Sequence, residues 1–168
     1  MRQLTNHRGP SAYAKPLRVL LALLFMPAIQ AWAIDITVDV LGDPTPDGCT
    51  PSSCSLREAV TLANILSGPD RIFLPATPGV PLQLTIPGDD ENANATGDVD
   101  VTDDLEIIGA GVATTTLVQT AADRVFHTVM AREKRLTLRG LTIQGGNNTI
   151  MGGALRSESL LTSKMRLL

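Results

Sequence analysis

The side chains best suited to chemistry lie in an acidic segment, residues 88–104, which contains no basic residue. Four of its carboxylates fall close together, at Asp98, Asp100, Asp103 and Asp104. Carboxylate oxygens are the ligands that Ca²⁺ prefers, and the ion takes about six to eight of them. The spacing matches neither the EF-hand loop nor glycine-rich calcium repeats, and acidic runs are commonly solvated faces. Calcium is therefore the one cofactor that these residues could hold, and we expect no other.

The same acidic residues also raise the question of catalysis. Residues 98–101 alternate acid and valine, which predicts a strand that buries the valines and projects the carboxylates outward. Outward carboxylates could serve a polysaccharide lyase, with Arg124 or Arg139 as the base, or a glycoside hydrolase with paired carboxylates. Arginine is a poor base because it stays protonated, and we expect Arg139 to be a surface charge. We therefore predict no catalytic residue in this chain.

His127 is a further residue that could bind a ligand. It follows Phe126 in a predicted strand, and successive side chains of a strand point to opposite faces. Phenylalanine is commonly buried, so we expect Phe126 in the core and His127 on the surface.

The first 33 residues have the three parts of a secretory signal peptide. A basic region without acids precedes an apolar run from Val19 to Ile29, and Ala31-Trp32-Ala33 offers a cleavage site. A membrane anchor is the alternative, but Val19–Ile34 is shorter than the ~20 apolar residues that a spanning helix needs. We expect the protein to be secreted or on the cell surface, with no transmembrane segment after cleavage.

Removal of this signal peptide leaves an acidic chain. Four of the 14 Lys and Arg residues and none of the 17 Asp and Glu residues lie within it, so 10 basic and 17 acidic residues remain, a formal charge of −7. Binding to phosphates needs a basic face, so nucleic acid is not an expected partner. Phe73 and Phe126 are the aromatic residues that remain, which are few for a sugar-binding platform of stacked rings.

Export also bears on the two cysteines, Cys49 and Cys54. In an oxidising compartment they most simply pair with each other. A metal site is the alternative, but two cysteines with His127 fall short of a structural zinc set. We predict a disulfide between Cys49 and Cys54.

A short amphipathic helix is predicted directly after Cys54. Ser55 and Glu58 have the spacing of a capping box, in which each side chain binds a free backbone amide of the first turn. A stop signal follows at residues 67–69. The apolar residues between these signals recur at helical spacing, at Leu56, Ala59, Val60, Ala63 and Leu66.

Short strands are predicted for most of the remaining chain. Residues 34–40 alternate polar and apolar types, and from residue 105 onward apolar triplets alternate with small turns. Two L-x-[IL]-x-G units begin 31 residues apart, at Leu105 and Leu136. Strands this short cannot build a core alone, but they can when successive coils stack as a β-solenoid. We expect the helix to cover the first end of such a stack.

The segment Cys54-Ser-Leu-Arg-Glu-Ala59 resembles the signature of the CSLREA domain, which is found near the N-terminus of secreted or surface-exposed bacterial proteins with β-helix repeats. Residues 95–105, 136–146 and 152–154 look like the usual continuation, and the resemblance covers roughly residues 34–155. It implies a pectate-lyase-like, mainly β fold. An N-terminal capping strand and a short amphipathic helix would be followed by the first coils of a right-handed parallel β-helix.

The resemblance also predicts an organisation and a function. We expect a signal peptide at 1–33, a cap with disulfide loop and helix at 34–74, first coils at 75–156, and a tail outside the family pattern at 157–168, as in a truncated solenoid. The expected function is non-enzymatic: the start of an adhesion or display solenoid that binds a surface polysaccharide or a host cell-surface ligand. The alternative is the N-terminal part of a carbohydrate-active β-helix enzyme.

Overall fold

The computed structural model of the chain describes residues 32–88, 91–130, 134–147, 153–159 and 166–167, so nearly all of the predicted signal peptide lies outside it. Within these residues the fold is mainly β, with one short helix. The helix is α1 (Leu56–Ile65). The strands, in chain order, are β1 (Asp35–Thr37), β2 (Asp70–Phe73), β3 (Leu82–Leu84), β4 (Val99–Val101), β5 (Leu105–Ile108), β6 (Thr116–Gln119), β7 (Phe126–Met130), β8 (Leu136–Arg139), β9 (Thr142–Gly145), β10 (Leu155–Ser159) and β11 (Arg166–Leu167).

Successive strands contribute in turn to three parallel sheets. The first sheet has the order β1-β2-β5-β8-β11, the second β3-β6-β9 and the third β4-β7-β10. After β2 the chain visits the second and third sheets before it returns to the first, so that Leu105 of β5 pairs with Leu136 of β8. The two L-x-[IL]-x-G units are therefore neighbours, as their spacing predicts. The arrangement is compatible with a β-helix-like solenoid.

The core is built from side chains that stack in register across these sheets. In the first sheet Ile72 pairs with Ile107, and Ile107 pairs with Leu138. All three side chains are buried. Corresponding buried pairs in the other two sheets are Leu82–Leu117 and Val99–Phe126. Since each strand has too few residues to bury a face by itself, it is the stacking of neighbouring strands that supplies the core.

Helix α1 packs against the first strands of this core. Ser55 is its N-cap and accepts a hydrogen bond from the Glu58 amide, while the Glu58 carboxylate accepts one from the Ser55 amide at 2.8 Å. The capping box is therefore present as predicted. The helix contacts β1, β2 and β4. Its buried apolar residues belong to the same cluster as those of the strands: Leu56, Ala59, Val60 and Ala63.

Glycines follow the neighbouring strands β5 and β8 of the first sheet, at the point where both chains turn away from the sheet. Gly140 has φ +65°, a conformation that favours glycine, and a Cβ atom on Gly109 would overlap the carbonyl oxygen of Gly140. The glycine that ends each L-x-[IL]-x-G unit is thus needed because two backbones approach closely there.

Strand pairing continues beyond the predicted end of the coils at residue 156. Strand β10 pairs with β7 along its whole length, and β11 pairs with β8. Parallel pairing requires an extended chain beside an open strand edge, and it does not require the apolar and glycine rhythm of residues 105–146. Parts of the predicted tail therefore extend two of the sheets.

Candidate functional site

The acidic strand β4 is buried on both faces. Val99 and Val101 lie in the core as predicted, but Asp98 is only 2% exposed and Asp100 is fully buried, so the predicted outward projection of the carboxylates is wrong. The cause is the loop before β4. The side chain of Asn94 donates to the Asp100 carbonyl at 2.9 Å and accepts from the Asp100 amide at 2.6 Å. These bonds hold the loop against the strand and help to exclude water from the carboxylates.

Both buried carboxylates have partners close to strand β7. Arg124 donates its Nε–H to Oδ2 of Asp98 at 2.5 Å, and Nδ1 of His127 lies 3.0 Å from Oδ1 of Asp100. The register of β4 and β7 places Asp100 directly beside His127. Phe126 is buried as predicted, but His127 is also buried, so its predicted surface position is wrong. Phe126 and His127 point to opposite faces of β7, as strand alternation predicts, but both faces of the strand are covered.

Burial changes the protonation of this network. Loss of solvent raises the pKa of Asp98, and the hydrogen bond from Arg124 opposes that change only in part. Loss of solvent, with the negative charge of Asp98 as the next cause, raises the pKa of Asp100 to about 7. Asp100 therefore changes charge near neutral pH, where an ordinary aspartate is fully ionised.

We expect the carboxyl carbon of Asp100 to titrate by ¹³C NMR with a midpoint near pH 7, against about 3.9 for an ordinary aspartate. Because the folded pKa lies above the unfolded value, protonation favours the fold. This contribution is complete below the unfolded pKa and is lost as the pH rises through about 7. Asp100→Asn should therefore weaken the pH dependence of stability. A midpoint for Asp100 below 5 would contradict the account.

The four carboxylates predicted as calcium ligands do not come together as one group. Asp98 and Asp100 lie in the buried network, whereas Asp103 and Asp104 form ion pairs with Lys134. The Asp103 hydrogen bond is the largest cause that raises the pKa of Lys134. The turn between β4 and β5 carries the second pair of carboxylates away from the first, so the predicted four-carboxylate calcium site is not formed.

The structure instead brings Asp98 and Asp100 together with His127. Each residue places one potential ligand atom within 4.8 Å of the others. Two carboxylates and an imidazole suit zinc or a similar transition metal better than calcium. However, a cation here would compete with the Asp100–His127 contact and would lie close to the guanidinium of Arg124. As they stand, these side chains form a hydrogen-bond network that ties β4 to β7.

The predicted disulfide between Cys49 and Cys54 is confirmed. It closes the loop before α1, and the same loop is held by Glu58, whose Oε1 accepts from the Asp47 amide at 3.1 Å. Burial raises the pKa of Glu58, but hydrogen bonds from Ser55 and Asp47 outweigh it and hold the pKa below its ordinary value. The capping glutamate is therefore ionised and joins the disulfide loop to the helix.

Cys49→Ser should lower the unfolding free energy by about 2 kcal/mol, because the disulfide closes only a small ring. The remaining thiol of Cys54 is fully buried, so we expect slow labelling of the folded variant and rapid labelling in denaturant. Chemical denaturation with thiol labelling measures both, and the reduced parent protein is the control. Two reactive thiols in the oxidised parent protein would contradict the structure.

Arg57 makes the most extensive side-chain contacts of the cap, and sequence reasoning missed it. Its guanidinium has five N–H donors, and all are used. Nε and Nη2 donate to the two carboxylate oxygens of Asp43 at 2.8 and 2.9 Å. The other donors bind the carbonyls of Thr96, Gly97 and Asp98 at 2.8–3.3 Å. One side chain thus joins α1 to the loop before it and to the loop before β4.

Asp43 extends this network to the second sheet. Its Oδ2 also accepts from the amides of Thr85 and Ile86, which follow β3, at 2.9 and 3.1 Å. Asp43 and Arg57 are both fully buried. A helical projection that centres the apolar face on Val60 also includes Arg57, three residues earlier. The same face includes Asn64, so it is not apolar throughout, and the helical pattern does not single out Arg57.

The two arginines considered as lyase bases occupy different environments. Arg124 is buried against Asp98, while Arg139 is an exposed side chain that pairs with Glu106, as predicted for a surface charge. Each arginine is held beside a carboxylate, and an arginine side chain stays protonated in proteins. The described residues therefore give Arg124 and Arg139 structural roles.

Comparison with known proteins found no relative of this chain. No family model, curated protein or solved structure matches it. In the part of the chain that the structure describes, no helix combines the length and apolar character needed to cross a membrane.

Proposed function

We propose that this chain is an exported protein that forms the N-terminal cap and first coils of a right-handed parallel β-helix of the CSLREA class. Three parallel sheets visited in turn, with paired L-x-[IL]-x-G units, support the β-helix. The disulfide supports export, because such bonds persist in oxidising compartments. Its role is display or adhesion, and its partner is a surface polysaccharide or a host cell-surface ligand.

The contacts of the signature Cys54–Ala59 carry this proposal. Its polar side chains all bind groups within the cap: Ser55 and Glu58 form the capping box, and Arg57 binds Asp43 and three carbonyls. Cys54 forms the disulfide. These residues are buried, so none of them is presented to a substrate. Because the polar side chains of this signature all bind groups within the cap, we assign the signature to building the cap and not to an active site.

The outer face of the first sheet is the surface we assign to display. Pairs of opposite charge follow it from strand to strand, with Asp35 beside Arg71, and Glu106 beside Arg139. These side chains are partly exposed, and Asp35, Arg71 and Glu106 lie in register on β1, β2 and β5, whereas Arg139 reaches Glu106 from two residues further along β8. Hydroxyl-rich polysaccharides can bind to such a polar ladder by hydrogen bonds. The cap would keep the ladder in register by fixing the first strands.

Export and binding can be tested with the full chain expressed in a bacterium. We expect external protease to remove the protein from intact cells, and an Arg2, Arg8, Lys15 and Arg18 to Glu variant to remain inside. The purified exported chain should bind immobilised surface polysaccharide without releasing unsaturated or reducing sugar products. Retention of the parent protein in the cytoplasm would contradict the proposal. Release of unsaturated uronates would favour the enzyme alternative.

A further inference from the structure

Asp70 is a buried carboxylate that lacks half of its hydrogen bonds. It begins strand β2 and is only 1% exposed. Its Oδ1 accepts a hydrogen bond from the backbone amide of Ile34 at 2.9 Å, whereas its Oδ2 has no hydrogen-bond partner. A buried carboxylate with a single neutral donor is costly, because the fold has removed water from the charge without replacing it. Among the residues that the structure describes, no cation pairs with this carboxylate.

The backbone of Ile34 is held at this carboxylate from both sides. Its amide donates to Asp70, and its carbonyl accepts from the Arg71 amide at 2.9 Å. Pairing of β1 with β2 then starts at the next residue, Asp35. Trp32 is 81% exposed and Ala33 is also exposed. Removal of Trp32 and Ala33 therefore leaves no hole in the core.

We propose that cleavage between Ala33 and Ile34 completes this site: the new α-ammonium of Ile34 forms an ion pair with the buried carboxylate of Asp70. The inference rests on the export proposed above, since the cleavage is that of a signal peptidase. Water adds across the Ala33–Ile34 peptide bond, which leaves a carboxylate on Ala33 and an amine on Ile34 that takes up a proton. The nitrogen that now donates one neutral N–H to Oδ1 then carries a full charge and three N–H donors.

Most of the charged side chains around Asp70 have other partners, so the new N-terminus is the group that can supply its positive counter-charge. The neighbouring charged side chains of β1, β2 and β5 pair with each other or with β8, as Asp35 with Arg71 and Glu106 with Arg139. Asp104 pairs with Lys134. In α1, Arg57 and Glu58 bind within the cap. Arg135 also lines the groove next to Asp70, but no ion pair between them occurs among the described residues.

The ion pair sets a defined pH dependence. A carboxylate beside an ammonium raises the pKa of that ammonium above its ordinary value of about 7.7–8.0. Stabilisation by the ion pair is therefore complete at a pH below the ordinary pKa of the α-ammonium. It is lost as the pH rises through the raised pKa of that group in the folded chain. Maturation would thus stabilise the exported chain at neutral and mildly acidic pH.

Purified chains that differ by one residue test the ion pair. One chain starts at Ile34 and the other at Ala33, whose extra residue turns the Ile34 nitrogen back into an amide. We expect the Ile34 chain to melt about 2–8 °C higher at pH 6, and the difference to disappear at alkaline pH. In an Asp70→Asn background the two starts should melt alike. Equal melting of the parent pair, or an unchanged difference with Asp70→Asn, would overturn the proposal.

The exported protein provides the second test. Mass spectrometry of the secreted or surface chain should find Ile34 as the first residue, and the rate of amine modification should report a raised α-amino pKa. A mature terminus at any other residue would overturn the proposal at the processing step, while export itself would stand. A chain that is not exported at all would instead contradict the proposed function, and the comparison of purified chains would still decide the ion pair.

Discussion

Replacing Arg57 with alanine should lower the unfolding free energy by about 3–5 kcal/mol, a large share of the roughly 5–15 kcal/mol by which a folded domain is stable. The change removes five hydrogen bonds from the cap at once. It also leaves the carboxylate of Asp43 fully buried without its counter-ion. An unpaired buried charge is the main cause of the loss, because the desolvation cost stays while the compensating attraction is gone.

Matched variants separate this effect from the loss of any arginine. Arg71 also forms a two-pronged contact with an aspartate, Asp35, but both side chains are about half exposed. Arg71→Ala should therefore cost no more than about 1 kcal/mol. Arg57→Lys keeps the charge but cannot supply the planar set of five donors, so we expect an intermediate loss. Urea denaturation measures the unfolding free energy of all three variants. Equal losses for Arg57→Ala and Arg71→Ala would contradict the account of the cap.

Phe126→Ala should also lower the unfolding free energy by about 3–5 kcal/mol. Phe126 is fully buried on β7, the central strand of the third sheet, where it pairs in register with Val99 on one side and Leu155 on the other. Backbone pairing holds the neighbouring strands in place, so they cannot collapse into the cavity that alanine would leave. The loss should be seen in the cooperative unfolding of the whole stack.

Phe73 provides the matched control for this variant. It is the other phenylalanine after residue 33, but its ring is only partly buried, with the guanidinium of Arg71 5.7 Å from the ring centre. Phe73→Ala should cost less than half as much as Phe126→Ala, because less apolar surface returns to water. A larger loss at Phe73 than at Phe126 would mean that the core lies on the other side of the strands.

Local signals made much of the fold predictable. The capping box at Ser55 and Glu58 fixed the start of the helix, and the disulfide followed from two nearby cysteines in a chain expected to be exported. The L-x-[IL]-x-G units gave both the strands and their pairing, since equal spacing along the chain places them side by side. These features depend on short stretches of sequence and a repeated distance.

The buried polar network could not be predicted in the same way. Alternation places Asp100 and His127 opposite the valines and Phe126, but it cannot tell whether a loop covers that opposite face. Asn94 holds such a loop over β4 through two hydrogen bonds to Asp100. The position of Arg57 depends likewise on Asp43, which only the folded loop brings to it. Long-range contacts of this kind leave no periodic signal.

The cap and the proposed maturation step act on the same end of the stack. Arg57 and the disulfide loop fix α1 against the first strands, and Ile34 enters the first sheet beside Asp70. Loss of either contact should weaken the pairing of β1 with β2 before it affects β5 and β8. Hydrogen exchange of the Arg71 amide, which binds the Ile34 carbonyl, would report this order.

The central claim is that successive coils stack as parallel neighbours, and backbone NOEs in the labelled exported chain test it most directly. The amide and α protons of Ile107 should give cross-peaks to Ile72 on one side and to Leu138 on the other, in parallel register. Cross-peaks that pair Ile107 with an antiparallel strand, or contacts confined to residues nearby in sequence, would contradict the stacked arrangement and the cap that depends on it.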